Sequence, residues 1–148
     1  MTHYLEDLAE GQIFDSDSYR VGEAEIREFA ARYDPQPFHL DAEAATASFF
    51  GGLAASGWHT AAITMRLLVL SGLRPVGGVI GAGVESLRWL QPVRPGDELR
   101  ARIEVRQLRP MNSRPSQGLA QVVVTTFNQR REAVQEFTAT LVVPRRPV

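Results

Sequence analysis

Apolar and polar residues alternate most regularly between positions 99 and 106. Leu99, Ala101, Ile103 and Val105 alternate there with Arg100, Arg102, Glu104 and Arg106. Side chains two residues apart share one face of a strand, so this pattern predicts a β-strand with one buried and one hydrated face. The segment 85–90 predicts a strand before it, and the Val-, Thr- and Phe-rich segments 119–127 and 134–143 predict two strands after it.

Helical spacing predicts an amphipathic helix early in the chain. Ile26, Phe29, Ala30 and Tyr33 recur at that spacing and would form its apolar face. Gly22 is expected to start the helix, with two glutamates in the first turn where the helix dipole favours negative charge. The helix is expected to end by Asp34, because Pro35 disfavours helical backbone for the residue before it.

Two further helices are predicted after this point. Asp41 has the side chain of an N-cap, which predicts a short helix over 42–48. From about Gly57 to Leu70 nearly every residue is apolar. A helix that is apolar on almost all sides is expected to be buried, and here to be wrapped by the sheet.

The order of these elements predicts an α+β fold of hot-dog type, in which an antiparallel sheet curls around a long buried central helix. Short extended pieces at 12–14 and 18–21 and a glycine-rich connector at 73–83 complete the chain. Its length suits one domain spanning residues 1–148. Such a sheet has an open edge strand, which a second copy would cover, so a homodimer is expected.

Composition excludes several classes of partner and site. Sixteen basic and seventeen acidic residues nearly cancel, so no nucleic acid is expected as a partner. The chain has no cysteine, which excludes disulfides and thiolate sites. The polar, acidic N-terminus is unlike a signal peptide, and no apolar run reaches the roughly 20 residues of a membrane span. A cytoplasmic location without membrane contact is expected.

Candidate chemistry is concentrated between residues 33 and 59. Asp34 and His39 flank two prolines, which are expected to hold 34–39 as an extended surface loop. Both side chains accept a proton near neutral pH, so together they could hold and activate one water molecule. The alternative is structural: Asp34 would cap the end of the first helix, and His39 would pack under Phe38.

The sequence Asp34-Pro35-Gln36-Pro37-Phe38-His39 resembles the hydratase motif of the MaoC-like dehydratases, which include (R)-specific enoyl-CoA hydratases. That motif runs Asp, any residue, Asn, Pro, any residue, His. The segments 49–52, 55–57 and 92–99 resemble the family's approach to the central helix and the turn between its following strands. This chain departs at two positions: Tyr33 stands where Gly is common, and Gln36 replaces Asn.

The resemblance implies a hydro-lyase that adds water across C2–C3 of a trans-2-enoyl thioester, with Asp34 and His39 as the catalytic pair. Gly57 matches the family position whose amide faces the thioester oxygen, where an oxyanion develops. Ser56 would either donate its hydroxyl to the substrate or cap the helix. No cofactor or metal is implied, and coenzyme A enters as part of the acyl-CoA substrate.

Other residues near the motif have weaker predicted roles. Tyr33, Gln36 and Phe38 are expected to border the substrate pocket. The loop arginines 109, 114, 130 and 131 could meet the phosphates of coenzyme A, with Arg114 preferred.

A metal site is not predicted, because no third ligand is spaced to join His39 and His59. His59 is expected to be a hydrogen-bonded core or interface residue, and Trp58 to serve packing. Two other functions stay open from the sequence: a hot-dog acyl-CoA thioesterase and a non-catalytic acyl-CoA-binding subunit.

Overall fold

Six antiparallel strands form one sheet in the computed structural model, which describes all 148 residues. The strands are β1 (Ile13–Asp15), β2 (Tyr19–Arg20), β3 (Ile80–Trp89), β4 (Glu98–Pro110), β5 (Gln117–Phe127) and β6 (Ala133–Pro144). Their order across the sheet is β1-β4-β5-β6-β3, and β2 also pairs with β4. The helices are α1 (Glu23–Tyr33), α2 (Pro37–Leu40), α3 (Ala42–Thr46) and α4 (Gly57–Val69). This is the α+β arrangement that the sequence predicted.

The core lies between α4 and one face of the sheet. On β4 the four apolar residues of the alternating pattern are completely buried, and on β5 every second residue is buried in the same way. The sheet therefore satisfies the two-residue period of the sequence. From α4, Ile63, Leu67 and Leu68 join the same apolar cluster. No helix in the structure is long and apolar enough to cross a membrane.

The segment after α1 differs from the extended loop that the prolines predicted. Asp34 and Gln36 are non-helical, as expected before proline, but residues Pro37–Leu40 form the short helix α2. Pro37 takes the first helical position, where its fixed φ suits the helix and its missing N–H is not needed. The restriction that a proline imposes applies to the residue before it, so the helix can start at the proline itself.

Helix α4 packs against the sheet as expected, but within a single chain it is buried on only one side. Six of its thirteen residues are buried: His59, Thr60, Ile63, Thr64, Leu67 and Leu68. The opposite side exposes Trp58, Met65 and Val69 to solvent. One sheet can cover only one side of a helix, so the remaining apolar side stays largely exposed within this chain.

Strand β3 begins at Ile80, inside the stretch expected to be a glycine-rich connector. Gly81 and Gly83 lie within the strand and have open space where a Cβ atom would stand. The strand pairs with β6 on one side only, so its other side is the open edge of the sheet. The sequence predicted only the second half of this strand, 85–90, because the glycines interrupt the alternation of side chains in the first half.

Arg94 fixes the connection that leads into α4. Its guanidinium donates hydrogen bonds to the carbonyls of Phe50, Gly52 (2.8 Å) and Leu53 (3.4 Å). The turn that carries Arg94 is closed by Asp97, whose carboxylate accepts from the Arg94 amide at 2.9 Å. One side chain therefore satisfies three carbonyls that have no place in a helix or strand.

We predict that Arg94→Met lowers the free energy of unfolding by about 2–3 kcal/mol, because three carbonyls lose a charged donor. Urea denaturation followed by circular dichroism measures the change. The matched control is Arg32→Met on the exposed side of α1, where the arginine has only a solvent-exposed ion pair with Glu28. That control should stay within about 0.5 kcal/mol of the wild type. Equal losses in the two variants would contradict the role given to Arg94.

Candidate active site

Asp34 and His39 are brought together by the turn between α1 and α2. Asp34 directly follows α1, and His39 lies in the single turn of α2. The carboxylate oxygen Oδ2 of Asp34 is 3.3 Å from Nε2 of His39. His39 is almost fully buried, whereas the Asp34 side chain keeps 18% of its exposure. The pair is therefore close enough for both groups to contact the same small molecule.

The other ring nitrogen of His39 is held by the backbone. Nδ1 lies 2.6 Å from the carbonyl oxygen of Ala54, which can only accept a hydrogen bond. Nδ1 therefore carries the proton, and in the neutral ring Nε2 has a free lone pair directed toward Asp34. Phe38 and Phe50 pack against the ring at centroid distances of 4.6 and 6.0 Å. His39 therefore packs against Phe38, as the structural alternative predicted, and it also contacts Asp34.

The carboxyl of Asp34 is kept in its charged form. Burial raises its pKa, but hydrogen bonds from Gln36 and Ser56, with a further contribution whenever His39 is protonated, outweigh burial and hold the pKa below the usual value. Gln36 donates from Nε2 to Oδ1 of the carboxylate. Gln36 therefore touches the candidate acid/base pair directly, although its own side chain is exposed.

Ser56 and Gly57 begin helix α4 beside this pair. The Ser56 hydroxyl accepts a hydrogen bond from the Trp58 amide at 3.3 Å, so Ser56 is the N-cap. Because that bond uses a lone pair, the hydroxyl hydrogen stays available to Asp34. The amide of Gly57 is the first of the helix and has no acceptor within it. An amide at this position, at the positive end of the helix dipole, suits a developing negative charge.

The space beside the Gly57 Cα is filled by an aromatic ring. A Cβ atom at residue 57 would lie 2.6 Å from Cδ2 and 2.8 Å from Cζ2 of Trp89. A side chain at this position would therefore collide with the indole. The glycine is needed here for close packing against Trp89, in addition to any approach of a ligand.

A cleft of about 290 Å³ adjoins both His39 and the start of α4 at Gly57. Eleven residues line it: His39, Phe49, Phe50, Ala55, Gly57, Thr60, Trp89, Leu90, Gln91, Pro92 and Val93. His39 and Gly57 thus line one mostly apolar space, and Asp34 contacts the lining residue His39 without being part of the lining itself. A cleft with an apolar wall and few polar groups is typical of a small-molecule site.

Four residues that were predicted from the sequence to bind substrate do not line this cleft: Tyr33, Gln36, Phe38 and Arg114. Tyr33 is 69% exposed and contacts Phe29, not the cleft. Phe38 packs between His39 and Phe50 behind the cleft wall. Arg114 lies in the turn after β4, whereas the cleft adjoins the turn before β4. A strand of thirteen residues spans about 40 Å, so Arg114 cannot reach the cleft of its own chain.

The sequence prediction missed the aromatic wall. Phe49, Phe50, Trp89 and Leu90 line the cleft, but none was given a role from the sequence. Phe49 and Phe50 directly precede Gly51 and Gly52 in the segment that resembles the family, and could have been proposed on that ground. Trp89 is 32 positions from Gly57 and had no local signal, because their contact depends on how β3 is placed in the sheet.

His59 lies on the opposite side of α4 from the cleft. Its ring stacks on Phe29 at 4.7 Å, and Nε2 lies 3.6 Å from the carboxylate of Glu25, which also accepts a hydrogen bond from the Tyr19 hydroxyl at 2.7 Å. Nδ1 is buried without a hydrogen-bond partner. His59 is therefore a core residue that joins α4 to α1, as the sequence indicated.

We predict that His59 makes folding acid-sensitive. Burial lowers the pKa of His59 more than Glu25 raises it, so the folded protein favours the neutral ring. The unfolded chain binds the proton first as the pH falls through about 6.5, so stability is complete above that pH and is lost between it and the lower pKa of the folded state. Urea midpoints at pH 8.0 and 5.5 measure this loss.

The variant His59→Gln keeps a polar side chain that can donate to Glu25 but does not titrate in this range. We expect it to lose less stability than the wild type between the two pH values. Parallel losses in both proteins would show that other groups produce the acid sensitivity.

The chain is similar to proteins of one known family. The profile of the MaoC like domain matches residues 7–128. A crystal structure of the MaoC-like dehydratase from Rhodospirillum rubrum is 57% identical, with 99% of each chain covered and a TM-score of 0.94. The uncharacterized protein YdeM of Bacillus subtilis is 32% identical over 95% of this chain and 99% of its own. The (R)-hydratase from A. caviae involved in PHA biosynthesis is 29% identical over 94% of this chain and 99% of that one, with a TM-score of 0.74. The chain therefore belongs to the MaoC-like domain family, whose relatives include (R)-hydratases.

Proposed function

We propose that this protein is a hydro-lyase that adds water to a trans-2-enoyl thioester of coenzyme A and removes it in the reverse direction. The observation that carries the proposal is the 3.3 Å contact between Asp34 and His39, since His39 lines the same cleft as Gly57. The similarity to the A. caviae (R)-hydratase supports the same reaction class.

The acid/base pair presents two acceptors to one water molecule. The ionised carboxylate of Asp34 and the unprotonated Nε2 of His39 each accept one of its hydrogens, which directs the water oxygen outward. When that oxygen bonds to C3, one proton passes to the pair. The same proton can then be returned to C2, so the pair ends in its starting state and the product gains one H and one OH. No electrons are gained or lost, so the reaction requires no redox cofactor.

Attack at C3 pushes an electron pair onto the thioester oxygen. The Gly57 amide, at the N-terminus of α4, would donate to that oxygen while the negative charge is present. The indole of Trp89 covers one side of Gly57 and reduces the water around it. A hydrogen bond to a charged oxygen is stronger where water is excluded, so this wall favours the charged intermediate.

We predict that hydration of crotonyl-CoA by the purified protein proceeds rapidly, measured as loss of the enoyl-thioester absorbance. Asp34→Asn and His39→Gln should each lower kcat by about 10²–10⁴, the usual contribution of a positioned acid or base. Glu28→Gln, an exposed residue on α1, is the matched control and should keep wild-type kcat. Circular dichroism checks that each variant is folded.

The same assay distinguishes the hydratase from the two alternative functions. Release of free thiol without hydration would indicate a thioesterase. If the protein turns over no short, branched or dicarboxylic acyl thioester, the remaining function is that of a non-catalytic acyl-CoA-binding subunit. Wild-type rates in both Asp34→Asn and His39→Gln would contradict the assigned roles even if hydration occurs.

We also propose that the protein is a homodimer joined through the open edge at β3. Ile80 and Val84 on this strand are more than half exposed, and Trp58, Met65 and Val69 are exposed on the uncovered side of α4. An exposed edge strand with apolar side chains is a template for pairing. A second copy would cover both the edge and the exposed helix side, since a two-fold interface uses one patch twice.

We predict a species near 33 kDa, twice the 16.4 kDa chain, in sedimentation velocity. Val84→Lys should shift it toward the monomer, because a lysine on an edge opposes strand pairing. Ile13→Lys places the same change on β1, at the other edge of the sheet, and should leave the dimer intact. A monomeric wild type, or equal dissociation of the dimer by both variants, would contradict the proposed interface.

The cytoplasmic location inferred from the sequence stays a prediction.

A further inference from the structure

Trp89 is the largest side chain on the cleft wall and lies directly against the first residue of α4. Its indole occupies the space where a side chain of residue 57 would stand. The ring is 45% exposed, so one side packs on Gly57 while the other faces the open cleft. Trp58 meets it edge-on, with ring centroids 5.1 Å apart. The indole is therefore in a position to touch a ligand bound at the Gly57 amide.

A buried polar network holds this ring in one orientation. The indole Nε1–H donates to Oε1 of Gln135 at 2.8 Å, and Gln135 is completely buried. Nε2 of Gln135 donates to the Thr64 hydroxyl at 3.0 Å, and that hydroxyl lies 2.7 Å from the Thr126 hydroxyl. Rotation of the indole would leave the buried Gln135 oxygen without a donor, which proteins strongly avoid. The wall at Gly57 is therefore rigid.

A bulge in β3 aims Trp89 toward α4. Val84 pairs with Ala139 and Trp89 pairs with Gln135, so both side chains lie on the side of the sheet that carries these buried partners. Residues five apart in a regular strand would point to opposite faces. Between Glu85 and Arg88 the register shifts, and Ser86 adopts a φ of 55°. Such bulges commonly redirect a side chain next to a functional site.

We propose that Trp89 determines how large a substituent the acyl group can carry at C2. This inference rests on the proposed hydration of enoyl thioesters. In that reaction the Gly57 amide faces the oxygen on C1 and the Asp34–His39 pair faces C3. C2 lies between them, and the fixed indole forms the wall beside Gly57, so a branch on C2 meets the ring. The unbranched tail beyond C3 extends away from Gly57 and meets other parts of the cleft.

The activity test compares three substrates in the wild type, Trp89→Phe and Trp89→Ala. They are the crotonyl, 2-methylcrotonyl and trans-2-hexenoyl thioesters of coenzyme A. The ratio of kcat/KM for 2-methylcrotonyl over crotonyl thioester should rise at least about tenfold in the Trp89 variants, since a methyl group in an apolar pocket changes selectivity by roughly 10–200-fold. The ratio for hexenoyl over crotonyl should rise much less.

Trp58→Phe is the matched control, because Trp58 touches the indole but does not line the cleft. It should leave both ratios as in the wild type. An unchanged 2-methylcrotonyl ratio in the Trp89 variants overturns the proposal. The proposal is also overturned if the hexenoyl ratio rises as much as the 2-methylcrotonyl ratio, because Trp89 would then contact the acyl tail. Circular dichroism confirms that the compared proteins are folded.

A binding test separates this inference from the proposed reaction. The chain has two tryptophans, so Trp58→Phe leaves Trp89 as the single emitter. Titration with the unreactive butyryl-CoA should change its fluorescence, whereas Trp89→Phe, which keeps only Trp58, should show a much smaller change. Equal changes in both proteins, or none, overturn the contact between Trp89 and ligand. A Trp89-specific change without turnover of any enoyl thioester would instead reject the hydratase function and keep the contact.

Discussion

The candidate site depends on one hydrogen bond, from Nδ1 of His39 to the carbonyl of Ala54. This bond puts the ring proton on the nitrogen that faces the backbone and leaves Nε2 as an acceptor beside Asp34. It also ties α2 to the segment that leads into α4, which Arg94 holds from the other side through three carbonyls. The protonation and the position of the histidine are therefore both set by backbone that belongs to another part of the chain.

The second constraint is the close packing of Trp89 on Gly57. A helix that begins with glycine can offer its first amide and its Cα surface at once, and here the amide borders the cleft while an indole covers the Cα. The ring is in turn anchored by Gln135, a polar residue that the core accepts because its amide is hydrogen-bonded at both ends. The shape of the cleft at this point thus depends on a network that runs beneath α4.

Strand β3 links the cleft to the surface of the molecule. It carries Trp89 at one end, and along its length it is the open edge of the sheet. Ile80 and Val84 on this edge, like Met65 and Val69 on α4, are exposed within the single chain. Any chain that pairs with this edge will restrict β3 and, through β3, the position of the indole. Assembly and pocket shape are therefore expected to be coupled through this one strand.

Local patterns in the sequence were sufficient for α1, α3 and α4, for β4, β5, β6 and the second half of β3, for the Asp41 and Ser56 caps and for the Asp34–His39 pair. Each depends on residues only a few positions apart. They misjudged Pro37, which starts the helix α2, and the glycines of β3, which hide the first half of that strand. The tertiary structure alone decided the contacts of Trp89 with Gly57 and Gln135. It also decided the distance of Arg114 from the cleft. Those depend on strand order, register and one bulge, which join segments far apart in the chain and leave no local periodicity to detect.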